Sequence, residues 1–265
     1  MRWRRAWPTV CEVSFEVGAD AYGRFMGRYS GPLAAKFIAL AGVAEGQRTL
    51  DVGCGTGALT AELVARVGVS AVTAIDPSKS FVEAVRARLP DIDVRCAAAE
   101  ALPFPDGEFD CALAQLVVHF MTDPVAGLSE MARVTRPMGR VAACVWDHAG
   151  GAGPLGLFWR AVHELDPQAR DESDLAGARE GHLAELFATA GLREIDSGVL
   201  TVRVRFVDFD DWWEPFTLGV GPAGDYVARL DASQRGQLRS HCAGLLPREA
   251  PFDITASAWT ACGRA

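Results

Sequence analysis

Residues 50–57 read Leu-Asp-Val-Gly-Cys-Gly-Thr-Gly, a glycine-rich stretch that follows an apolar strand pattern and precedes an amphipathic helix pattern. Its glycines permit a sharp turn from strand to helix and let a ligand lie against bare backbone. The N–H groups that such a turn exposes suit anionic or polar ligand groups. The alternative is a tight turn that binds nothing. The stretch predicts a strand, a ligand-binding turn and a helix in succession.

Around this stretch, short apolar strands alternate with amphipathic helices. Strands are predicted at 48–53, 71–76, 92–96, 109–114 and 140–146, with helices at 57–68, 80–89 and 123–134. Strands joined through helices form right-handed parallel units, so we expect a doubly wound parallel sheet. Asp76 ends the second strand, where its carboxylate would accept hydrogen bonds from both hydroxyls of an adenosine ribose. Its alternative role is to cap the next helix, and the two roles are compatible.

The flanking segments are less regular. A helix is predicted from Ser30 to Leu40, with Ser30 as its cap and Pro32 in its first turn. Further elements are predicted as a helix at 182–190 and strands at 192–206 and 252–262. The residues between those two strands are rich in Trp, Phe, Gly and Pro, which favours a functional lid.

Several short motifs together resemble the class I S-adenosylmethionine-dependent methyltransferases over roughly residues 20–147. Residues 51–57 resemble the family's first motif, and Ile-Asp-Pro-Ser at 75–78 resembles its second. Three later matches are Ala-Glu-Ala-Leu-Pro-Phe-Pro after strand three (99–105), Phe-Asp opening strand four (109–110) and Arg-Pro-Met-Gly before strand five (136–139). Tyr-Gly-Arg-Phe-Met at 22–26 is similar to the cofactor-covering segment of the small-molecule branch, typified by ubiquinone and menaquinone C-methyltransferases.

The resemblance implies a Rossmann-like, doubly wound α/β fold with a seven-stranded sheet, mostly parallel with an antiparallel last strand. We expect a loose tail over 1–14 and a single methyltransferase domain over 15–265. Within that domain, an N-terminal helical segment at 15–47 covers the cofactor and 48–147 binds it. The segments 148–180 and 208–248 form a lid over the substrate.

The implied cofactor is S-adenosyl-L-methionine, with S-adenosyl-L-homocysteine as product and no metal. The glycine turn would approach the methionine part, Asp51 would fix the turn and reach the cofactor's amino group, and Asp76 would hold the ribose. The expected cofactor-binding residues are Tyr22, Met26, Asp51, Gly53, Cys54, Gly55, Gly57, Asp76, Pro77, Ser78, Ala99, Glu100, Gln115 and Leu116. For Tyr22 and Met26 the alternative is a packing helix, and for Gln115 it is an ordinary loop.

Two positions depart from the family's pattern. Ala98 stands where the family often has an Asp that contacts the adenine amino group, so that contact is lost, moved or made through water. Met138 replaces a usual glycine, from which we expect an altered turn; the alternative is a change in that turn's backbone conformation.

Composition argues against several classes of function. The formal net charge of -8 disfavours binding to a nucleic-acid backbone. No stretch is long and apolar enough to span a bilayer, and the basic residues near the N terminus lack the apolar stretch of a targeting signal. We therefore expect a cytoplasmic protein. The 7 cysteines include no Cys-x-x-Cys pair, which disfavours a zinc site.

No catalytic triad is apparent, and a sulfonium methyl group does not require one. Alignment of the acceptor with the S–CH3 bond and exclusion of water supply much of the acceleration. His119, after the fourth strand, is the candidate general base, with a packed histidine as its alternative; His148 presents the same choice. An apolar acceptor pocket, or alternatively ordinary core, is expected from Trp146, Phe158, Trp159, Trp212, Trp213 and Phe216.

Three functions are compatible with these patterns. The first is methyl transfer at O, N or C of a small-molecule acceptor of apolar or aromatic character. The second is a non-catalytic cofactor-binding or partner subunit; an aromatic-lined cavity under 208–248 favours the first, and a solid face favours the second. The third, a nicotinamide oxidoreductase, is disfavoured because the glycines lack the Gly-x-Gly-x-x-Gly spacing.

Overall fold

The computed structural model describes residues 19–265, with the side chain of Tyr22 outside the described part. Its strands are β1 (Thr49–Val52), β2 (Val72–Asp76), β3 (Asp93–Cys96), β4 (Phe109–Gln115), β5 (Thr135–Trp146), β6 (Arg193–Phe206) and β7 (Phe252–Arg264). Its helices are α1 (Ala19–Phe25), α2 (Gly27–Ala41), α3 (Ala58–Val67), α4 (Lys79–Arg88), α5 (Pro124–Val134), α6 (Gly156–Leu165), α7 (His182–Thr189), α8 (Phe209–Trp213), α9 (Gly221–Arg229) and α10 (Ala232–Leu245). The expected tail at 1–14, with order from Phe15, lies outside the described residues and stays a prediction.

One sheet contains all the strands in the order β3-β2-β1-β4-β5-β7-β6. β1 pairs in parallel with β2 and β4, and the parallel pairing continues to β3 on one side and β5 on the other. β7 runs antiparallel to both β5 and β6. The predicted Rossmann-like sheet with an antiparallel last strand is therefore confirmed. From β1 the strand order runs to β2 and β3 on one side and to β4 and β5 on the other. This topological switch point between β1 and β4 opens a crevice at their carboxyl ends.

Alternating side chains of the strands build a separate apolar core on each face of the sheet. In β5, Ala142, Cys144 and Trp146 belong to the core that contains α2, α3 and α6. Their neighbours at 141, 143 and 145 belong to the core that contains α5 and α7. Strands buried on both faces read as continuous apolar runs, because successive side chains point to opposite faces.

The prediction for the first long helix was wrong at its start. α2 begins at Gly27, so Ser30 is a buried residue inside the helix and Pro32 lies in its interior. The helix extends further because Tyr29 lies on the same apolar stripe as Leu33 and packs into the core. Burial of that extra turn outweighs the backbone hydrogen bond that Pro32 cannot donate.

The insertion between β6 and β7 is fastened to the N-terminal helices. The two terminal nitrogens of Arg28 donate to the two carboxylate oxygens of Asp211 at 2.7 and 3.0 Å. The guanidinium also lies 4.4 Å from the ring centroid of Phe206 and donates to the backbone oxygen of Arg205. These contacts join α2, the end of β6 and α8.

We expect Arg28→Met to lower the free energy of unfolding by about 1–2 kcal/mol at pH 7, because it removes a bidentate, partly buried ion pair. Arg28 holds the pKa of Asp211 below its usual range. The pair therefore stabilises the fold fully above the unfolded-state Asp pKa of about 3.9, and this contribution is lost as the pH falls through the lower folded-state value. Urea unfolding at pH 7 and pH 3 measures the difference.

The matched control for this experiment is Arg24→Met, which removes the exposed ion pair with Glu214. That variant should change the free energy of unfolding little, because water screens exposed pairs. Equal losses for the two variants at pH 7 would contradict the role assigned to Arg28.

Candidate functional site

A cavity of about 120 Å³ lies at the carboxyl ends of β1, β2 and β4, at the point where the strand order of the sheet reverses. The predicted site residues that line it are Asp51, Gly53, Cys54, Gly55, Asp76, Pro77, Ser78, Gln115 and Leu116. The sequence analysis missed the other lining residues, Ser30, Thr56, Ala58, Leu59, Phe81, Val117 and Phe120. Of these, Thr56, Ala58 and Leu59 lie in or next to the glycine motif, so the motif could have identified them. Ser30 and Phe120 arrive from distant elements and carried no local signal.

The glycine-rich turn is pinned to the end of β2. The N–H groups of Gly53 and Cys54 both donate to the backbone oxygen of Ile75, at 2.8 and 2.9 Å. Gly53 has a φ of +71°, and a Cβ placed there would lie 2.5 Å from both γ-methyl carbons of Val117. Only glycine fits this position, because a side chain would meet both the left-handed backbone and Val117.

Asp76 connects the turn to the beginning of α4. One carboxylate oxygen accepts the N–H of Gly55 at 2.8 Å, and the other accepts the N–H of Ser78 at 2.8 Å. The N-cap of α4 is Ser78, so Asp76 holds the capping residue and does not cap the helix itself. Burial raises the pKa of Asp76, against the effect of these two hydrogen bonds. Each carboxylate oxygen retains capacity to accept a further hydrogen bond.

Asp51 presents an unpaired acidic oxygen in this region. Its Oδ2 atom accepts the hydroxyl of Thr60 at 2.6 Å, whereas its Oδ1 atom is buried without a partner. Burial, and to a smaller extent the charge of Asp76, raise the pKa of Asp51 to about 7. An unpaired buried acceptor is costly, so this oxygen suits a ligand that brings a positive charge or a donor.

The end of β4 reaches α2 across the cavity. The Nε2 atom of Gln115 donates to the backbone oxygen of Ser30 at 3.0 Å, and its Oε1 atom is buried without a partner. Leu116 follows with a φ of +62°, and its N–H donates to the backbone oxygen of Cys144. A left-handed conformation at a bulky residue is strained and is typical of functional sites.

Several predicted cofactor-binding residues do not line the cavity. Gly57 forms the left-handed N-cap of α3, and Met26 precedes α2 and packs against the core. Ala99 is buried, and Glu100 accepts the N–H groups of residues 122 and 123. The roles of these residues stay predictions, as does that of Tyr22, whose side chain is outside the described part.

The two departures from the family pattern have different structural consequences. Ala98 is exposed beside the buried Ala99, so its methyl group offers no polar contact. Met138 has a φ of +64° and a solvent-exposed side chain. The turn predicted before strand five therefore lies inside β5, and Met138 there has a left-handed backbone conformation that favours glycine.

His119 is packed beside the cavity and is absent from its wall. Its ring centroid lies 3.9 Å from that of Phe120 and 5.8 Å from that of His148, and its Nδ1 atom is buried without a partner. Burial, with a contribution from His148, holds the pKa of His119 well below its usual range, and burial lowers that of His148 to about 4. Both rings are therefore neutral at pH 7, an arrangement that favours the packed alternative for His119.

The aromatic side chains expected to form an acceptor pocket pack against one another in the core. Phe158 stacks on Phe216 with ring centroids 4.5 Å apart, and Trp212 lies 4.8 Å from Phe216. None of these rings lines the cavity at the glycine turn. These rings therefore pack as core side chains and do not form the wall of that cavity.

Two further properties concern residues 19–265 as a whole. None of the helices there is long and apolar enough to cross a membrane. That part of the chain also has no group of three or more His, Cys, Asp or Glu side chains that would hold a metal ion.

Comparison with known proteins matches residues 50–143 to a family described as a methyltransferase domain. An uncharacterized methyltransferase of Mycobacterium tuberculosis is 38% identical over 169 residues, which are 64% of this chain and 60% of that protein. A demethylmenaquinone methyltransferase of Paenarthrobacter aurescens is 35% identical over 184 residues, covering 61% of this chain and 70% of that protein. The chain thus spans 60% of the length of the mycobacterial relative.

Solved structures of methyltransferases share the fold. Among them is a Haemonchus contortus phosphoethanolamine N-methyltransferase 2 in complex with phosphomonomethylethanolamine and S-adenosylhomocysteine. The TM-score is 0.59 at 15% sequence identity, and the match covers 96% of this chain and 58% of that one.

Gly53→Ala should lower the free energy of unfolding by roughly 2–4 kcal/mol, because a left-handed backbone strain adds to the collision with Val117. Gly46→Ala is the control, since Gly46 also has a positive φ of +84° but has no atom within 4 Å of the added carbon. We expect a loss of about 1 kcal/mol for the control. In urea unfolding, Val117→Ala should restore part of the loss in the Gly53→Ala background; no restoration would contradict the close approach.

Proposed function

The chain belongs to the class I S-adenosylmethionine-dependent methyltransferase family, and from this premise we propose that it binds S-adenosylmethionine at the glycine turn and methylates a small-molecule acceptor. The observation that carries the cofactor assignment is the unpaired Oδ1 atom of Asp51, buried in a residue that lines the cavity. The α-ammonium group of the cofactor carries a positive charge and N–H donors, and this unpaired oxygen can accept a hydrogen bond from it. The fit between this oxygen and the ammonium group is therefore electrostatic.

Each part of the cofactor has a chemical counterpart among the lining residues. Asp51 would hold the ammonium group, and the unused acceptor capacity of Asp76 would take the ribose hydroxyls. The glycine turn would lie against the methionine part. The volume of about 120 Å³ is smaller than the roughly 300 Å³ at which small-molecule sites begin, so side chains that line the cavity would move outward on binding.

When bound, the cofactor supplies an electrophilic sulfonium methyl group. The chain's contribution is to orient the reactants and exclude water, which lowers the barrier without a nucleophilic side chain. The helix α2 covers the cavity through Ser30, which is held by Gln115. An acceptor that must lose a proton would find a neutral nitrogen at Nδ1 of His119, provided that it reaches this buried ring.

A small apolar ring acceptor is favoured by the relative that is named a demethylmenaquinone methyltransferase. The alternative, a non-catalytic cofactor-binding or partner subunit, is favoured by the packing of the aromatic side chains against one another and away from the cavity. Turnover with any acceptor decides between the two. The cytoplasmic location and the lack of a nucleic-acid partner stay predictions.

We expect Asp76→Ala to weaken S-adenosylhomocysteine binding about a hundredfold, because roughly 3 kcal/mol of charge-assisted hydrogen bonding to the ribose is lost. Calorimetric titration measures the affinity. The variant also frees the N–H groups of Gly55 and Ser78, so its unfolding is measured in parallel. The control is Asp93→Ala, an exposed acid at the start of the adjacent strand β3. Normal affinity in folded Asp76→Ala would refute the ribose contact.

Binding of S-adenosylhomocysteine should weaken about tenfold from pH 8 to pH 6. The pKa of Asp51 is raised to about 7, so below that pH the ligand's ammonium group must displace a proton from the carboxyl. Calorimetry in buffers of different ionisation enthalpy should detect the released proton. Asp51→Asn should bind more weakly at pH 8 and lose the pH dependence. An equally steep pH dependence in that variant would assign the titration to another group.

A further inference from the structure

Thr60 is a polar side chain that is fully buried in the first turn of α3. Its neighbours Leu59 and Leu63 belong to the apolar core, as expected for the inward face of an amphipathic helix. A buried hydroxyl needs a hydrogen-bond partner, and inside a helix it commonly donates to the carbonyl one turn earlier. The hydroxyl of Thr60 instead donates to the carboxylate of Asp51 in β1, at 2.6 Å. This bond joins the first turn of α3 to β1.

The hydrogen bond from Thr60 makes the two oxygens of Asp51 unequal. Oδ2 is occupied by the hydroxyl, whereas Oδ1 is buried without a partner. Asp51 is only 1% exposed and lines the cavity at the glycine turn, while Thr60 is not one of the lining residues. Because a hydrogen bond to one oxygen also fixes the rotation of the carboxylate, the other oxygen is held ready for a ligand.

The N-terminal end of α3 adds a second contribution from the same residue. The N-cap of this helix is Gly57, which has a left-handed backbone and no capping side chain. The N–H groups of the first turn have no partners within their own helix and carry partial positive charge. The backbone N–H of Thr60, like its hydroxyl, favours the charged form of Asp51. Thr60 therefore acts on Asp51 through two groups, of which substitution can remove the hydroxyl.

The other ionisable groups that line the cavity do not favour the charged form of Asp51. In residues 19–265 these groups are the carboxyl of Asp76 and the thiol of Cys54. The charge of Asp76 raises the pKa of Asp51, and burial raises the pKa of Cys54, so that its thiol is neutral at pH 7. The lining residues from α2, α3, α4, β4 and the segment after β4 are neutral. Thr60 is thus the side chain that counteracts the burial of Asp51.

We propose that Thr60 is a positioning residue for the cofactor: its hydroxyl holds Oδ2 of Asp51 and favours the ionised carboxyl, so that Oδ1 receives the ammonium group. This inference rests on the proposed function and deepens it, because it names a residue that acts on the cofactor only through another residue. Binding of the ammonium group requires that Asp51 has lost its proton. Thr60 extends the pH range in which that proton is absent, and loss of the hydroxyl should move this range upward.

Thr60→Val keeps the shape of the side chain and removes its hydroxyl. We expect the pKa of Asp51, which is about 7 in the unmodified chain, to rise by roughly one unit, because the charged form loses a donor. The affinity for S-adenosylhomocysteine should then be about fivefold to tenfold weaker than in the unmodified chain at pH 6–7 and nearly equal at pH 9. Calorimetric titration of the full chain at pH 6, 7, 8 and 9 measures this profile.

A second ligand, 5′-methylthioadenosine, separates the ammonium contact from the rest of the site. It retains the adenosine and the sulfur of the cofactor but lacks the amino-acid part. Thr60→Val should leave its affinity within about twofold of the unmodified chain at each pH. A general loosening of the cavity would instead weaken both ligands.

Three variants control for damage to the fold, which is followed by urea unfolding. Thr60→Ser retains the hydroxyl and should retain the pH profile of the unmodified chain. Thr60→Ala should shift the profile in the same direction as Thr60→Val and replaces it if the valine variant unfolds. Thr135→Val is the matched control, since Thr135 is 3% exposed and its hydroxyl donates at 2.7 Å to the backbone oxygen of Met131, at the amino end of β5. It should lower stability and leave both affinities unchanged.

Three results would overturn the proposal: a pH profile of folded Thr60→Val that coincides with that of the unmodified chain, a loss of affinity that is the same at every pH, or equal weakening of the two ligands. Failure of the proposed function is a different result, because S-adenosylhomocysteine would then not bind to the folded, unmodified chain at any pH. The role assigned to Thr60 falls with the cofactor assignment in that case.

Discussion

The site depends on the hydrogen bonds that hold the glycine turn, which follows β1, against the end of the neighbouring strand β2. The carbonyl of Ile75 accepts two N–H groups of the turn, and the carboxylate of Asp76 accepts the next one. This attachment brings Gly53 against the side chain of Val117, in the segment after β4, so the ends of β1, β2 and β4 meet here. Because a side chain at position 53 would collide with Val117, the contact depends on the bare backbone of glycine.

The parts of the fold that supply stability differ from the parts that have unpaired polar groups available for a ligand. The helices and strands bury continuous apolar cores on both faces, and the backbone of the glycine turn is held by hydrogen bonds to Ile75 and Asp76. Most of the buried polar atoms without partners lie instead toward the carboxyl ends of β1, β4 and β5 and in the segment after β5. Among these, the oxygen of Asp51 fits the cation of a cofactor. A folded chain tolerates such unpaired groups most readily where a ligand completes them.

The predictions that held depended on local signals, and those that failed depended on packing between distant elements. The strands of the first half were predicted within a few residues, because doubly buried strands are short apolar runs bounded by turns. The predicted start of α2 was wrong because the burial of Tyr29 extends the helix toward the N terminus, beyond Ser30. Ser30 then became a wall of the cavity, which no local pattern indicated. The aromatic residues of the insertion were consistent with a pocket or a core, and they form a core.

By itself, the sequence determined the class of fold, the glycine turn, and the placement of Asp51 and Asp76 at the ends of neighbouring strands. Those features follow from periodicity and from motifs a few residues long. Only the tertiary structure decided which of their oxygens are already occupied, that His119 is a neutral packed ring, and that Glu172 is buried. The physical reason is that hydrogen-bond satisfaction and burial belong to three-dimensional neighbours, which are far apart along the chain.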